Sequence, residues 1–96
     1  MIIRYSPRAI ADIIAIADYI AARNKPAALA VEAAILTTVS LLAEHPNLGV
    51  DRPKLQVRSI SVPRYPYTVY YRAQDEAIII VHVRDERRRP IAEGDL

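Results

Sequence analysis

Apolar and β-branched residues in the second half of the chain fall into three short runs separated by turn residues. The runs are Val57 to Val62, Tyr67 to Arg72 and Ala77 to Val83, and the breaks between them are residues 63–66 and 73–76. Breaks this short join antiparallel strands, because a parallel neighbour needs a crossover of about a dozen residues. Valine, isoleucine, threonine and tyrosine also suit a half-buried pleated surface. The pattern predicts an antiparallel meander.

The first half of the chain has helical periodicity instead. Ile2 to Tyr5 is predicted to be a short strand, after which Ser6 and Pro7 signal a helix start, as the N-cap and the first helical residue. Asn24 and Pro26 are predicted to end this helix. Its apolar residues recur with a period of about 3.6. The predicted buried stripe is Ile10, Ile13, Ile14, Ala17, Ile20 and Ala21.

A second helix is predicted from Pro26 to about His45, where Pro46 stops it. Leu29 and Leu36 lie on its flank, where they either cover the edge of the domain's own core or receive a helix from a partner. The turn between the two helices is short, so the helices form an antiparallel hairpin. The predicted inner face of the second helix is Ala28, Val31, Ile35, Val39 and Leu42.

The order of elements predicts one α+β domain covering residues 1–96. Asn47 to Leu55 has turn chemistry and no period, and is predicted to be a loop. The order is therefore β-αα-βββ, with a helical hairpin packed on one face of a small, mostly antiparallel sheet. The tail after about residue 90 has weak signals for regular structure and is expected to lack a fixed conformation.

Composition and charge narrow the possible functions. The absence of cysteine excludes a disulfide framework, a thiol nucleophile and a cysteine-based zinc site. Residues 1–51 contain four Lys/Arg and five Asp/Glu, whereas residues 52–96 contain nine and six. A basic C-terminal half fits a nucleic-acid surface or an acidic protein partner. No signal-peptide pattern opens the chain and no uninterrupted apolar span of about 18 residues occurs. We therefore expect a cytoplasmic protein without membrane contact.

His82 is the strongest candidate for chemistry. If the helices cover the odd-numbered residues of its strand, His82 shares the open sheet face with arginines and tyrosines. With Arg58 and Arg72, it could then carry out acid–base chemistry on RNA. The other interpretation is a partly buried histidine hydrogen-bonded within the sheet. No glycine-rich phosphate loop or metal-ligand cluster is visible, so we expect no cofactor, no metal and no small-molecule substrate.

Four segments of the chain resemble the RelE/ParE superfamily of toxins from bacterial type II toxin–antitoxin modules. They are IRYSPRAIADIIAIADYIA near the start, HPNLG after the second helix, VRSISVPRYPYTVYYR in the meander and IIIVHVRDERRRP at its end. Together they span nearly the whole chain. The resemblance is to the ParE, or plasmid-stabilisation, branch more than to RelE itself.

The resemblance implies a toxin that is held inactive by a cognate antitoxin. ParE toxins inhibit DNA gyrase, whereas RelE toxins cut mRNA in the ribosomal A site. RelE-type cutters use basic residues on the sheet together with an aromatic or histidine group near the C-terminus. This chain has no Tyr, Phe or His after His82, which weighs against mRNA cutting. The possible counterparts of the basic set are Arg58, Arg64, Arg72 and Arg84.

The favoured expectation is gyrase inhibition by binding, with no catalytic residue. The antitoxin is expected to lay an apolar helix on the toxin and to meet its cations with acidic residues. Two alternatives remain: a ribosome-dependent mRNA endonuclease using His82, and an inactive homologue that only binds antitoxin. The residues expected to contact gyrase are Arg84, Arg87 and Arg88. Those expected to contact the antitoxin are Leu29, Leu36, Arg58 and Arg64.

Overall fold

Two polar caps set where the helices begin. The computed structural model describes all residues 1–96. Helix α1 spans Pro7–Ala21, and its N-cap Ser6 accepts a hydrogen bond from the first helical turn, as predicted. Helix α2 spans Lys25–Glu44, and the side chain of Asn24 accepts a hydrogen bond from the N–H of Ala27 at 3.0 Å. Asn24 therefore begins α2, and its predicted role in ending α1 is wrong. Its φ of −159° is extended backbone, not the left-handed conformation of a C-terminal cap.

Five strands form one sheet in the order β1-β5-β4-β3-β2, in which β1 runs parallel to β5 and every other pair is antiparallel. The prediction of a helical hairpin on a mostly antiparallel sheet is confirmed. One strand falls inside the segment that was predicted to be a loop, because three residues are too few for a period to show. The strands are β1 Ile2–Tyr5, β2 Val50–Arg52, β3 Val57–Ser61, β4 Tyr67–Gln74 and β5 Ala77–Asp85.

The core lies between the hairpin and one face of the sheet. The predicted inner face of α2 is confirmed, since all five of its residues are buried. Burial of large aliphatic and aromatic side chains is the main stabilising term for a domain of this size. The sheet residues packed in this core include Val69, Tyr71, Ile78, Ile80 and Val83.

Helix α2 is long and apolar enough, by length and composition alone, to cross a membrane. In this structure Ile35 and Leu42 are fully buried in the core of the domain. Core helices of globular proteins pass the same test of length and composition, so this property does not place the helix in a bilayer.

Helix α1 buries only part of the predicted stripe: Ile13 and Ile20 pack against the core, as predicted. Ile10 and Ile14 are 48% and 55% exposed, although both were predicted to be buried. The helix is apolar along two adjacent stripes, so the period alone did not decide which of them faces the sheet. An apolar surface is left on the outside of the hairpin. The α1 isoleucines that pack against the core are Ile13, Ile16 and Ile20.

A β-bulge at Val81 changes which residues of β5 face the core. Tyr70 opposes His82 and Tyr71 opposes Ile80, so Val81 has no partner on β4. Before the bulge, the even-numbered residues Ile78 and Ile80 face the core, so the expectation that the helices cover the odd-numbered residues is wrong there. After the bulge, Val83 faces the core, as expected. We call the face away from the helices the outer sheet face; by register it carries Ser59, Thr68, Tyr70, Arg72, His82 and Arg84.

Residues 86–96, here called the tail, fold back across the outer sheet face. Glu93–Asp95 forms one 3₁₀ turn. Ile91 lines a cavity together with Arg52 and Leu55, which places the tail next to β2 and the turn that follows it. Side-chain contacts described below hold residues 90–96 in this position.

Candidate functional site

Arg84 is enclosed, not presented to a partner. It is 5% exposed. Its Nη2 donates a hydrogen bond to the carbonyl of Arg89 at 2.6 Å, and its Nη1 lies 3.4 Å from Oδ2 of Asp95. Both acceptors belong to the tail, so the tail covers this guanidinium. The expectation that Arg84 contacts a target is not met in this structure, because the sequence does not reveal that the tail folds back.

Arg87 and Arg88 project from the tail into solvent. Arg87 forms a two-pronged contact with Asp85, with Nε–Oδ1 at 3.0 Å and Nη2–Oδ2 at 2.7 Å. The hydrogen bond from Arg87 holds the pKa of Asp85 below its ordinary value. Arg88 is exposed and forms no ion pair with any residue of the chain. Of the three arginines predicted to contact a target, two are accessible and only Arg88 has an unpaired charge.

The carboxylate of Asp95 fastens the tail. Arg89 donates to both of its oxygens, at 2.6 and 2.7 Å, and the N–H of Ala92 donates to Oδ2 at 2.8 Å. These hydrogen bonds, chiefly the one from Arg89, lower the pKa of Asp95. Arg8 on α1 donates to the carbonyl of Asp95. The sequence shows an acid six positions after Arg89, but nothing in it predicted that the two residues meet.

His82 joins the sheet to helix α1. Its Nδ1 lies 2.6 Å from Oδ2 of Asp12, and the same oxygen accepts the N–H of Val83 at 3.0 Å. The ring stacks on Tyr70 with centroids 5.9 Å apart. Because β1 ends at Tyr5, Asp12 supplies the acceptor that a neighbouring strand would otherwise provide. His82 is 3% exposed, which agrees with a buried, hydrogen-bonded histidine. No local pattern in the sequence predicted Asp12 as the partner of His82.

The residues of the alternative catalytic set do not come together. Arg58 opposes Tyr71 and therefore lies on the helix-facing side of the sheet, where its Nη1 donates to the carbonyl of Gly49 at 2.9 Å. Arg72 shares the outer sheet face with His82 but donates to a backbone carbonyl at 3.0 Å. Since Arg58 and His82 lie on opposite faces, they cannot act on one phosphate. The predicted catalytic arrangement is wrong.

A groove runs along the outside of the helical hairpin. It encloses about 350 Å³ between Ala17 and Ala21 of α1 and Leu29 of α2. Ile14 lies about one turn beyond Ala17 and Leu36 about two turns beyond Leu29, in the same direction because the helices are antiparallel. We call this surface the helix groove; it comprises Ile14, Ala17, Ala21, Leu29 and Leu36.

The two leucines predicted to contact the antitoxin are accessible in this groove. Leu29 is 68% exposed and Leu36 is 43% exposed. The interpretation that they cover the domain's own core is therefore wrong. Of the two arginines predicted to contact the antitoxin, Arg64 is exposed in the turn after β3, whereas Arg58 is partly buried against the turn before β2.

A profile of the family described as "ParE toxin of type II toxin-antitoxin system, parDE" matches residues 3–90. The chain belongs to the ParE toxin family. Among solved structures, one described as "Chromosomal ParDE TA system from P. aeruginosa" is 27% identical, with a TM-score of 0.77, and the match covers 88% of this chain and 95% of that chain. A comparison with curated protein sequences finds no match.

This ParE toxin therefore has two exposed surfaces of different chemistry. The helix groove exposes the apolar side chains of Leu29 and Leu36, and its cavity is also lined by Asp18, Lys25 and Glu32. The tail presents Arg87 and Arg88 on the other side of the sheet. His82 is buried and belongs to neither surface.

Proposed function

We propose that this ParE toxin inhibits DNA gyrase by binding to it in the cytoplasm. The observation that carries the proposal is the exposed, unpaired guanidinium of Arg88, on a loop that Asp85 and Asp95 fasten at both ends. A loop already held in place loses less conformational entropy when it binds a partner. Arg88 can also form a new ion pair without first breaking an internal one.

Arg87 is the weaker of the two exposed arginines as a contact with the target. Its guanidinium is exposed, but a partner must compete with Asp85 for it. Exchange of one carboxylate for another carboxylate or a phosphate gains little free energy in water. We therefore expect Arg87 to contribute less to target binding than Arg88 does.

The position of His82 supports binding over RNA cleavage. A general acid or base needs to reach its substrate at hydrogen-bonding distance. The His82 side chain is enclosed, with Nδ1 held by Asp12, and Arg58 lies on the other face of the sheet. His82 and Arg58 therefore make structural contacts within the fold.

A supercoiling assay tests the proposal. Purified toxin should stop DNA gyrase from supercoiling relaxed plasmid, and Arg88→Glu should raise the half-inhibitory concentration by at least about tenfold, as expected for loss of a charge-assisted contact. The matched control is Arg4→Glu, which changes an exposed arginine on β1 and should leave inhibition unchanged. Undisturbed supercoiling in the presence of excess toxin would contradict the proposal.

Two further results would identify the alternative functions. Cuts at defined codon positions on translating ribosomes, lost in His82→Ala, would favour an mRNA endonuclease. Unimpaired growth of bacteria that express the chain without antitoxin would favour an inactive homologue.

We also infer that the helix groove receives a helix from the cognate antitoxin. Leu29 and Leu36 are seven residues apart and therefore lie on one side of α2, as the contacts of an amphipathic partner helix require. An extended acidic segment of the antitoxin would meet the exposed Arg64. A short reading frame with an acidic tail next to this one in the genome is the expected source.

Substitutions in the groove test this inference. Leu29→Glu with Leu36→Glu should weaken antitoxin binding by at least about tenfold, since each leucine contributes roughly 1.5–3 kcal/mol when it is buried. The control is Leu41→Glu, because Leu41 is 45% exposed on another side of α2. Gyrase inhibition should be unchanged in both the double variant and the control. Equal losses of antitoxin affinity in the control and the groove variants would argue against the groove.

A further inference from the structure

A cavity of about 290 Å³ lies between the tail and the outer sheet face. Arg88 lines this cavity. The cavity extends from the exposed loop down to the sheet, where Tyr70 and Thr68 of β4 form part of its wall. Cations from three parts of the chain meet here: the edge strand β2, the end of β5 and the tail. The arginines that line the cavity are Arg52, Arg84, Arg88 and Arg89.

The acidic residues of this cavity have other partners. Asp85 is bound to Arg87, with two contacts between the carboxylate and the guanidinium. Glu86 accepts hydrogen bonds on Oε1 from the hydroxyls of Ser61 and Thr68, at 2.7 and 2.5 Å. The cavity lining therefore has four arginines against two carboxylates, one of which, Asp85, is already paired with Arg87.

Asp95 only partly neutralises these arginines. Both of its oxygens are held at short distance by Arg89. Arg84 is left 3.4 Å from Oδ2, longer than the 2.7–2.9 Å of a normal charge-assisted hydrogen bond. The one side-chain contact of Arg52 is 3.5 Å from the Ser59 hydroxyl, and Arg88 has none. Three guanidiniums thus border one cavity with unused donors.

We propose that this cavity is a binding site for a phosphate group. The planar fork of arginine matches the oxygens of phosphate, and several converging guanidiniums favour an anion that carries more than one acceptor. The enclosed volume accommodates inorganic phosphate, a small phosphate ester, or the terminal phosphate of a nucleic acid. The site shares Arg88 with the proposed contact with gyrase, but Arg52 and Arg84 take no part in that contact, so variants at Arg52 test the phosphate site by itself.

Titration of the full-length chain with sodium phosphate tests the site. At constant ionic strength, with chloride as the reference anion, phosphate should raise the melting temperature in a saturable way. The Nε–H signals of Arg52, Arg84 and Arg88 should shift together in NMR spectra. Equal effects of phosphate and chloride, or shifts spread over exposed arginines such as Arg4, would overturn the proposal.

Arg52→Gln is the deciding variant. It removes a partly exposed cation that makes only a 3.5 Å contact, so the fold should survive. Phosphate affinity should fall about tenfold, the usual effect of losing one hydrogen bond to a charged group, while Arg4→Gln should leave it unchanged. If both variants bind phosphate as tightly as the unchanged chain does, the proposal fails. Loss of phosphate binding in Arg52→Gln with intact gyrase inhibition would separate this site from the proposed function.

Three probes distinguish the sources of the phosphate. Inorganic phosphate, a 5′-phosphorylated dinucleotide and the same dinucleotide without its 5′-phosphate are compared in the same titration. Tighter binding of the phosphorylated dinucleotide indicates a nucleic-acid end, and equal binding of inorganic phosphate indicates a free ion or a small ester. A glutamate-rich peptide that displaces phosphate at lower concentration than either would show a carboxylate site and overturn the proposal.

Discussion

The carboxylate of Asp95 lies against Arg89, six residues earlier in the chain, with both of its oxygens within 2.7 Å of the guanidinium. This pair closes the tail into a loop, and Arg84 of β5 lies beneath it. Exposed ion pairs usually stabilise a fold only slightly. The contribution of this pair is therefore positional: it covers Arg84 and leaves Arg88 outside.

Removal of the Asp95 charge should release the tail without unfolding the domain. In Asp95→Asn, the amides of residues 91–96 should exchange with solvent at least about tenfold faster, since a tail without its main contacts opens locally. The melting temperature should change little, because the core does not include the tail. Hydrogen exchange read by mass spectrometry measures this effect.

Glu93→Gln is the control for that experiment. Glu93 is exposed and its carboxylate makes no hydrogen bond, so tail exchange should stay as in the unchanged chain. If the tail amides exchange as slowly in Asp95→Asn as in Glu93→Gln, Asp95 does not hold the tail in place.

The tail contacts should be lost in acid. Asp85 and Asp95 both have a pKa below the ordinary value of 3.8, because Arg87 and Arg89 donate to their ionised forms. The native state therefore binds fewer protons than the unfolded state between the lowered and the ordinary values. The stability due to these groups is complete above about pH 4 and falls as the pH drops through the lowered values.

A denaturation series in urea across this acid range measures the effect. The double variant Asp85→Asn, Asp95→Asn should show a shallower fall of the unfolding midpoint below about pH 4 than the unchanged chain shows. Identical slopes for the two proteins would mean that other carboxylates cause the acid sensitivity.

Asp12→Ala should destabilise the junction between α1 and β5. The variant leaves the N–H of Val83 and Nδ1 of His82 without their shared acceptor, and unsatisfied enclosed polar groups cost about 1–3 kcal/mol each. We expect a loss of about 2 kcal/mol in the free energy of unfolding. Asp18→Ala, an exposed change on the same helix, should cost less than about 0.5 kcal/mol. Equal midpoints for the two variants in urea would refute this role of Asp12.

Gly49→Ala should be unfavourable for a steric reason. A Cβ at Gly49 would lie 2.8 Å from the ring and hydroxyl of Tyr71 and 2.9 Å from the carbonyl of Ser59. Tyr71 is fully buried and its hydroxyl accepts the N–H of Gly49 at 2.9 Å, so the ring has little room to move. Overpacking of this kind costs about 1–3 kcal/mol. Gly94→Ala meets no atom within 4 Å and is the matched control in thermal unfolding.

Glu76→Gly should stabilise the turn between β4 and β5. Asp75 and Glu76 have φ values of 52° and 58°, which suit a type I′ hairpin turn but strain residues with a Cβ. Relief of this strain outweighs the extra freedom that glycine has in the unfolded chain, so we expect a gain of about 0.5 kcal/mol. Ala73→Gly, in the adjoining strand, should instead destabilise the protein in the same urea experiment.

Local patterns predicted most of the architecture. Ser6 with Pro7 signalled the start of α1, and the five apolar residues of α2 identified its buried face, because a cap and a stripe each depend on neighbours within a few positions. The short breaks between the last three strands required antiparallel pairing for the same reason. Strand β2 lies in the segment that was predicted to be a loop. Its three residues form a strand because they pair with β3, and their own sequence carries no strand signal.

The sequence by itself determined the helical hairpin, the antiparallel meander and the basic second half, since propensity, period and charge are properties of short segments. Only the tertiary structure decided which stripe of α1 is buried, and it paired Asp12 with His82 across 70 positions of chain. It also decided which arginine is available to a partner. Arg84 is covered, Arg87 and Arg89 are bound to carboxylates, and Arg88 is exposed without an ion pair. Each of these outcomes depends on where the folded chain brings one segment against another, and no local pattern contains that information.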